Sequence, residues 1–192
     1  MGGPLSQPQP ASIDRLALPI QRRANAAKQA EENQMNITLT NYEMKLAGFV
    51  AVQRVADNLK DKLQPRWGQT ANLWQAMIEG TIAEYVVAKA LDICWDGGVG
   101  TFKSPDAGPL QVRHTERLNG KMLLHPSDKD HEICVLVVGN YGNYTLQGWA
   151  VIGEVKLQEY WLDPTGGRPC YFVPREALRP MEDLRSIINE SR

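Results

Sequence analysis

The sequence predicts an α+β fold in which N-terminal helices pack against a mixed β-sheet. From Thr40 to Leu91 apolar residues recur at helical steps; after Leu91 the chain turns to short runs rich in Val, Ile, Thr and aromatics, separated by Gly, Asn and Pro. Its size agrees, because 192 residues with 43% hydrophobic content suit one domain with a real core.

Residues 1–38 are read as a disordered or transiently helical tail, and residues 39–192 as one domain. Four prolines come early (Pro4, Pro8, Pro10, Pro19), and the polar run after them has helix formers but no apolar stripe. Met1-Gly2-Gly3-Pro4-Leu5-Ser6 formally fits a myristoylation pattern, but no polybasic stretch follows to reinforce a single chain. Thr40-Asn41-Tyr42-Glu43 has capping-box spacing and predicts a helix start. Tyr42, Leu46, Phe49, Ala56, Leu59 and Leu63 follow on one face, read as core, and Pro65 ends the run.

A second helix is predicted over 71–91, its apolar face made by Leu73, Met77, Gly80, Val87, Ala88 and Leu91. Glu84 falls in the middle of that face, one heptad from Met77 and from Leu91. A carboxylate there either reaches the rim and pairs with an arginine, or serves as a metal-site or acid/base group. Strands are predicted at 99–103, 110–115, 121–125, 132–139 and 144–155, with Asn140-Tyr141-Gly142-Asn143 as a hairpin turn. A short strand at 170–173 and a helix over 180–189 close the chain.

Composition excludes several function classes. With 21 Lys plus Arg against 22 Asp plus Glu, the formal net charge of −1 excludes a generally basic chain and leaves only a local patch for nucleic acid. No apolar run reaches the roughly 18 residues of a membrane span, and the start lacks a secretory signal, so the expected address is the cytoplasm. Cys94, Cys134 and Cys170 form no ligand spacing and are read as reduced, mostly buried side chains; His114, His125 and His131 lack helical zinc spacing.

The stretch that bears chemistry is Ser104-Pro105-Asp106-Ala107-Gly108-Pro109-Leu110-Gln111-Val112-Arg113-His114-Thr115. Strand alternation puts Gln111, Arg113 and Thr115 on one face and Leu110 and Val112 on the other. A carboxylate at a Gly-Pro bend, an oxygen donor on the next strand and a cation two residues on make a candidate Mg²⁺ and phosphate site.

An acidic helix residue, then Pro-Asp, then a strand triplet in the position of acid-x-Lys resembles the PD-(D/E)XK nuclease superfamily. The stretch Gly80-Thr81-Ile82-Ala83-Glu84-Tyr85-Val86-Val87-Ala88-Lys89-Ala90-Leu91 is similar to that of phage and prophage proteins assigned there. The resemblance implies a restriction-endonuclease-like core, metal-dependent hydrolysis of DNA phosphodiesters, and Mg²⁺ or Mn²⁺ as cofactor. Carried over by position, it implies Glu84, Asp106 and Gln111 as metal ligands and Arg113 beside them, all four as catalytic residues. Gln111 offers a carbonyl oxygen without charge, and Arg113 stays protonated, so it can clamp a phosphate but cannot act as a base.

A competing register uses Asp128, Asp130 and the complete triplet Glu154-Val155-Lys156. A hairpin centred on Gly142 pairs residue 130 with residue 154 and sets their carboxylates side by side. Lys103, Arg117 and Lys121, joined by His114, are the candidate nucleic-acid contacts beside Arg113. Trp149, Tyr160 and Trp161 are read as core packing in preference to base stacking.

Two further readings stand beside hydrolysis. One is a catalytically degenerate relative that binds nucleic acid or a protein partner, for which Gln111 and Arg113 are the support. The other is a phage-encoded interaction protein that uses its tail as a segment folding on binding. A homo-oligomer and a phage or host protein complete the expected partners.

Overall fold

The computed structural model describes residues 34–60, 72–98 and 105–190. The order is β1 (Met35–Thr38), α1 (Asn41–Lys60), α2 (Leu73–Leu91), β2 (Leu110–Thr115), β3 (Met122–Leu124), β4 (Ile133–Asn140), β5 (Asn143–Val151), α3 (Ile152–Val155), β6 (Trp161–Leu162), β7 (Cys170–Val173) and α4 (Met181–Glu190). The fold is α+β: helices pack against a mixed four-stranded sheet ordered β1-β5-β4-β2, and a small antiparallel sheet, β3-β7-β6, covers part of its other face. Only β2 and β4 run parallel in the large sheet.

β4 is the centre of the molecule because its sequence is apolar on both faces. Val135 and Val137 join the core formed with α2 and α4, while Cys134, Leu136 and Val138 join the core beneath the small sheet. Such a continuous apolar run belongs to a strand buried on both sides. Burial pushes the Cys134 thiol up to about 12, so it packs as a small hydrophobe. Cys170 is also buried, whereas Cys94 is exposed.

The β4–β5 hairpin turns at Tyr141 and Gly142, both at positive φ (50° and 89°), the backbone of a tight two-residue turn. Near the turn paired residues sum to 283, as in Gly139↔Tyr144; past the irregularity between Leu136 and Val137 they sum to 284, as in Ile133↔Val151. The extra residue is Gln147, which makes it a β-bulge. β5 stops at Val151, short of the expected 155, and the chain coils into α3. Gly153 N–H still donates to the Asp130 carbonyl at 2.9 Å, and a Cβ on Gly153 would lie 2.8 Å from the Asp130 Cβ.

The capping box is present. The Thr40 N–H donates to Glu43 Oε2 at 2.7 Å, the Glu43 N–H donates to Thr40 Oγ1 at 3.3 Å, and Lys89 from α2 pairs with Glu43 at 2.8 Å. Lys89 first, and then the Thr40 backbone, hold the Glu43 carboxyl at about 2. A carboxyl lowered in the folded state contributes stability above its unfolded value near 4.5 and loses it as pH falls toward 2. Glu43→Gln is therefore expected to cost about 1 kcal/mol at neutral pH, a difference from wild type that closes in thermal melts as pH falls from 5 to 2.

Two expectations need correction. Residues 35–38, assigned to the tail, form β1, paired antiparallel with β5 through Asn36↔Thr145 and Thr38↔Asn143. The expected core face of α1 is turned outward: Tyr42 is 75% exposed, Phe49 71% and Leu59 57%. Inward are Ala47, Ala51 and Val55, small residues that let α1 lie close against α2. Leu63, Pro65 and the expected strand at 99–103 lie outside the described residues.

Candidate functional site

α2 is fixed at its start by Asn72, whose side chain accepts from the Gln75 N–H at 3.1 Å, and ends at Asp92 in the left-handed region. Between these caps every residue from Thr81 to Leu91 except Tyr85 and Lys89 is buried. Glu84 is buried with them, 8% exposed, as its place in the apolar face implied. Its partner comes from α1. Arg54 Nη1 donates to Glu84 Oε1 at 2.8 Å and Nη2 to Oε2 at 2.7 Å, a two-pronged pair. Arg54 also donates from Nη1 to Thr81 Oγ1 and from Nε to the Gly97 carbonyl at 2.8 Å, tying the exit of α2 into the same cluster.

Asp106 enters from the turn before β2. Ala107 and Leu110 exchange backbone hydrogen bonds at 3.1 and 3.0 Å around Gly108, whose φ of 56° and closeness to Ile93 suit glycine. The turn folds Asp106 back so that Oδ2 accepts the Val112 N–H at 2.8 Å. β2 is an edge strand, and this bond satisfies a backbone donor on its open side.

Burial raises the pKa of both carboxylic acids, and two fields reach across the cluster. For Glu84, desolvation outweighs the pull of Arg54, and the Asp106 charge adds to the rise. For Asp106, desolvation outweighs the Val112 N–H and the charges of Arg113 and Arg54. The structure thus brings Glu84 and Asp106 into one electrostatic cluster, with Arg54 on one side and Arg113 on the other.

Arg113 points to the sheet face opposite α2, as alternation requires. It donates from Nε to the Leu123 carbonyl at 3.0 Å, from Nη1 to the Val112 carbonyl at 3.1 Å and from Nη2 to Asp128 Oδ2 at 2.7 Å. Asp128 Oδ2 also accepts the His125 N–H at 2.9 Å. Arg113 is therefore a staple between the β2 edge, β3 and the loop 125–130. Gln111, half-buried on the same face, makes no side-chain hydrogen bond among the described residues.

The competing triplet is distributed differently. Lys156 Nζ donates to Asp130 Oδ1 at 2.7 Å and to the carbonyls of Pro126 and Asp128, holding the same loop from its other side. Glu154 turns away to pair with Arg179 at the surface. The register sum of 284 at the strand ends is the one expected, but the carboxylates of Asp130 and Glu154 go to different partners.

Of the candidate nucleic-acid contacts, Arg117 and Lys121 are exposed on the β2–β3 connection. His114 lies on the helix side of the sheet, Nε2 2.8 Å from the Gly139 carbonyl oxygen and its ring edge-on to Tyr144. It is apart from Arg113. Lys103 lies outside the described residues. Trp149 is fully buried with its indole N–H donating to the Pro180 carbonyl at 2.8 Å, and Trp161 packs on Tyr171 with ring centroids 4.7 Å apart.

Arg54 is the member of the site that sequence reasoning missed. Its signal was indirect: a glutamate in the middle of a buried helix face demands a cation, and Arg54 is on the neighbouring helix. Among the described residues no group of three or more His, Cys, Asp or Glu side chains is placed to hold a metal ion. No described helix is long and apolar enough to cross a membrane. Comparison with family models, curated proteins and solved structures finds no match for the chain.

Proposed function

We propose that this chain is a nuclease-like protein that binds nucleic acid, DNA foremost, without cutting it. The observation that carries the reading is the pairing of both Glu84 carboxylate oxygens with Arg54. In the resemblance to PD-(D/E)XK nucleases, Glu84, Asp106 and Gln111 are the positions for Mg²⁺. The residues present do not fit that ion. Glu84 is neutralised by a guanidinium, Asp106 gives one oxygen to a backbone N–H, and Gln111 contributes no charge. Two acids beside a permanent internal cation leave little net charge for a hard divalent ion, and Arg113 supplies no base.

Binding without hydrolysis keeps what remains of such a site, namely cations on an edge strand and its following loop. Arg117 and Lys121 are exposed there for phosphate contact, while Arg113 ties β2 to β3 and to the loop 125–130. The rival reading, Mg²⁺-dependent cleavage through Glu84, Asp106, Gln111 and Arg113, draws on one observation: Glu84 and Asp106 are close enough for the Asp106 charge to raise the Glu84 pKa.

The test is gel-shift binding and cleavage of labelled single-stranded and duplex DNA in Mg²⁺, Mn²⁺ or EDTA. The expected result is equal binding in all three, weakening as salt rises and weakening uniformly in Arg117→Ala and Lys121→Ala, with no products. Neither metal should raise the melting temperature specifically. Metal-dependent products that vanish in Asp106→Ala would overturn the proposal in favour of hydrolysis, and absence of salt-sensitive binding would remove nucleic acid as the partner.

A further inference from the structure

A second polar cluster lies on the sheet face away from α2. Here β1, β4 and β5, with the turn at Arg175–Ala177, enclose a cleft of about 600 Å³. Its walls are amide- and hydroxyl-bearing: Asn36, Thr38, Asn140, Asn143 and Thr145 all line it. Two cross-strand bonds order them. Thr38 Oγ1 donates to Asn143 Oδ1 at 3.3 Å and Thr145 Oγ1 to Asn36 Oδ1 at 2.7 Å. The Oδ1 atoms of Asn36 and Asn143 are thereby engaged, while their NH₂ groups have no protein partner among the described residues.

Two buried polar atoms of residues on this lining, the Gln147 Oε1 and the Arg175 Nη2, have no hydrogen-bond partner among the described residues. Gln147 is 8% exposed and is the bulged residue of β5. Bulges re-aim a side chain at a cost in pairing, and they concentrate beside functional sites. Arg175 reaches in from the turn after β7 with one bond, from Nε to the Gly120 carbonyl at 3.4 Å. Burial lowers its pKa without removing its charge. Buried orphans of this kind mark a missing partner.

We propose that this cleft binds a sugar phosphate, with Arg175 and the asparagine NH₂ groups on the phosphate and the Gln147 amide on a sugar hydroxyl. The donors match an oxyanion, since a guanidinium and primary amides all present N–H groups. Gln147, whose Oε1 is unengaged among the described residues, can accept from a sugar hydroxyl. Among the described lining residues Arg175 is the only cation and Glu116 the only acid. The volume is within the range of small-ligand sites. The inference stands apart from the Arg54 cluster, which belongs to the other side of the sheet.

The sugar phosphate has two sources, a free metabolite or a nucleic-acid strand, and the test separates them. The full chain is titrated with ribose 5-phosphate, ribose, inorganic phosphate and a short single-stranded oligonucleotide, reading melting temperature and amide chemical shifts. Ribose 5-phosphate near 100 times its Kd should raise the melting temperature by roughly 5–10 °C, inorganic phosphate less and ribose not at all. Shifts should gather on residues 36, 143, 147 and 175. Gln147→Leu removes an unsatisfied group at nearly constant volume, so it should keep its unliganded melting temperature and lose the response, as should Arg175→Gln. Displacement of ribose 5-phosphate by the oligonucleotide assigns the cleft to a strand backbone; persistence assigns it to a free ligand. No response to ribose 5-phosphate in wild type, or an equal response in Gln147→Leu, overturns the proposal and leaves the orphans to ordered water.

Discussion

Arg54→Met is expected to destabilise the protein by about 3–5 kcal/mol at neutral pH. The substitution keeps the length of the side chain and deletes the only cation bonded to Glu84 among the described residues, at 2.7 and 2.8 Å in the α1–α2 seam. What remains is a carboxylate with no counter-charge in an apolar face, beside the Asp106 carboxylate. The bonds to Thr81 and Gly97 are lost as well. Water cannot take over, because side-chain exposure in the pair is 13% and 10%.

The sign of the pH dependence follows from Glu84. Its folded pKa is already raised by burial, and without Arg54 it rises further, so the folded variant binds a proton that the unfolded chain releases. Above the unfolded value near 4.5 the folded form then loses stability as pH rises. Urea midpoints should show the variant closest to wild type near pH 4.5 and furthest at pH 8. Glu84→Leu added to Arg54→Met should recover most of the loss, since an apolar pair in that seam leaves no buried charge unpaired. An Arg54→Met protein as stable as wild type at pH 8 would show that the pair is not buried as described. Stabilisation of Arg54→Met by Mg²⁺, with none in wild type, would show that the arginine occupies the place of a cation.

The legible parts of the fold are those whose cause is local. Thr40 and Glu43 are three residues apart and cap the same turn; the strand at 110–115 is bounded by its own Gly-Pro bend and observed over the expected residues. The apolar run of β4 announces a strand buried on both faces. By contrast, α1 carries two apolar faces, and periodicity cannot tell which one meets a neighbour. Large residues suggested the Tyr42 and Phe49 face, whereas close packing of two helices selected the alanine face. β1 is four residues, Met-Asn-Ile-Thr, and its pairing with β5 is made across more than a hundred residues of chain. The candidate site divides the same way. The positions of Glu84, Asp106 and Arg113 were readable, but their partners were not, because Arg54, the Val112 N–H and Asp128 become neighbours only once the layers assemble.

Gly148→Ala is expected to cost about 3–5 kcal/mol, combining backbone strain with overpacking. Gly148 follows the bulged Gln147 and has φ 140°, a region that L side chains rarely adopt. A Cβ there would lie 2.7 Å from the Arg179 carbonyl oxygen and 2.8 Å from the Leu178 Cβ, and the backbone on the far side cannot yield. Arg179 is bound to the next residue in both directions, with Trp149 N–H donating to its carbonyl at 3.0 Å and its own N–H donating to the Trp149 carbonyl at 2.8 Å. Trp149 is in turn fully buried. The added methyl must therefore break the bridge that docks the segment before α4 or straighten the bulge, and straightening turns Gln147 out of its cleft. Gly80→Ala provides the contrast, since a Cβ there meets nothing within 4 Å and lies in a helix interior. That change should raise stability by about 0.5–1 kcal/mol. Denaturant melts of the two variants should move in opposite directions, and a neutral Gly148→Ala would mean that the bulge at Gln147 is a soft feature of β5 rather than one fixed by the chain packed behind it.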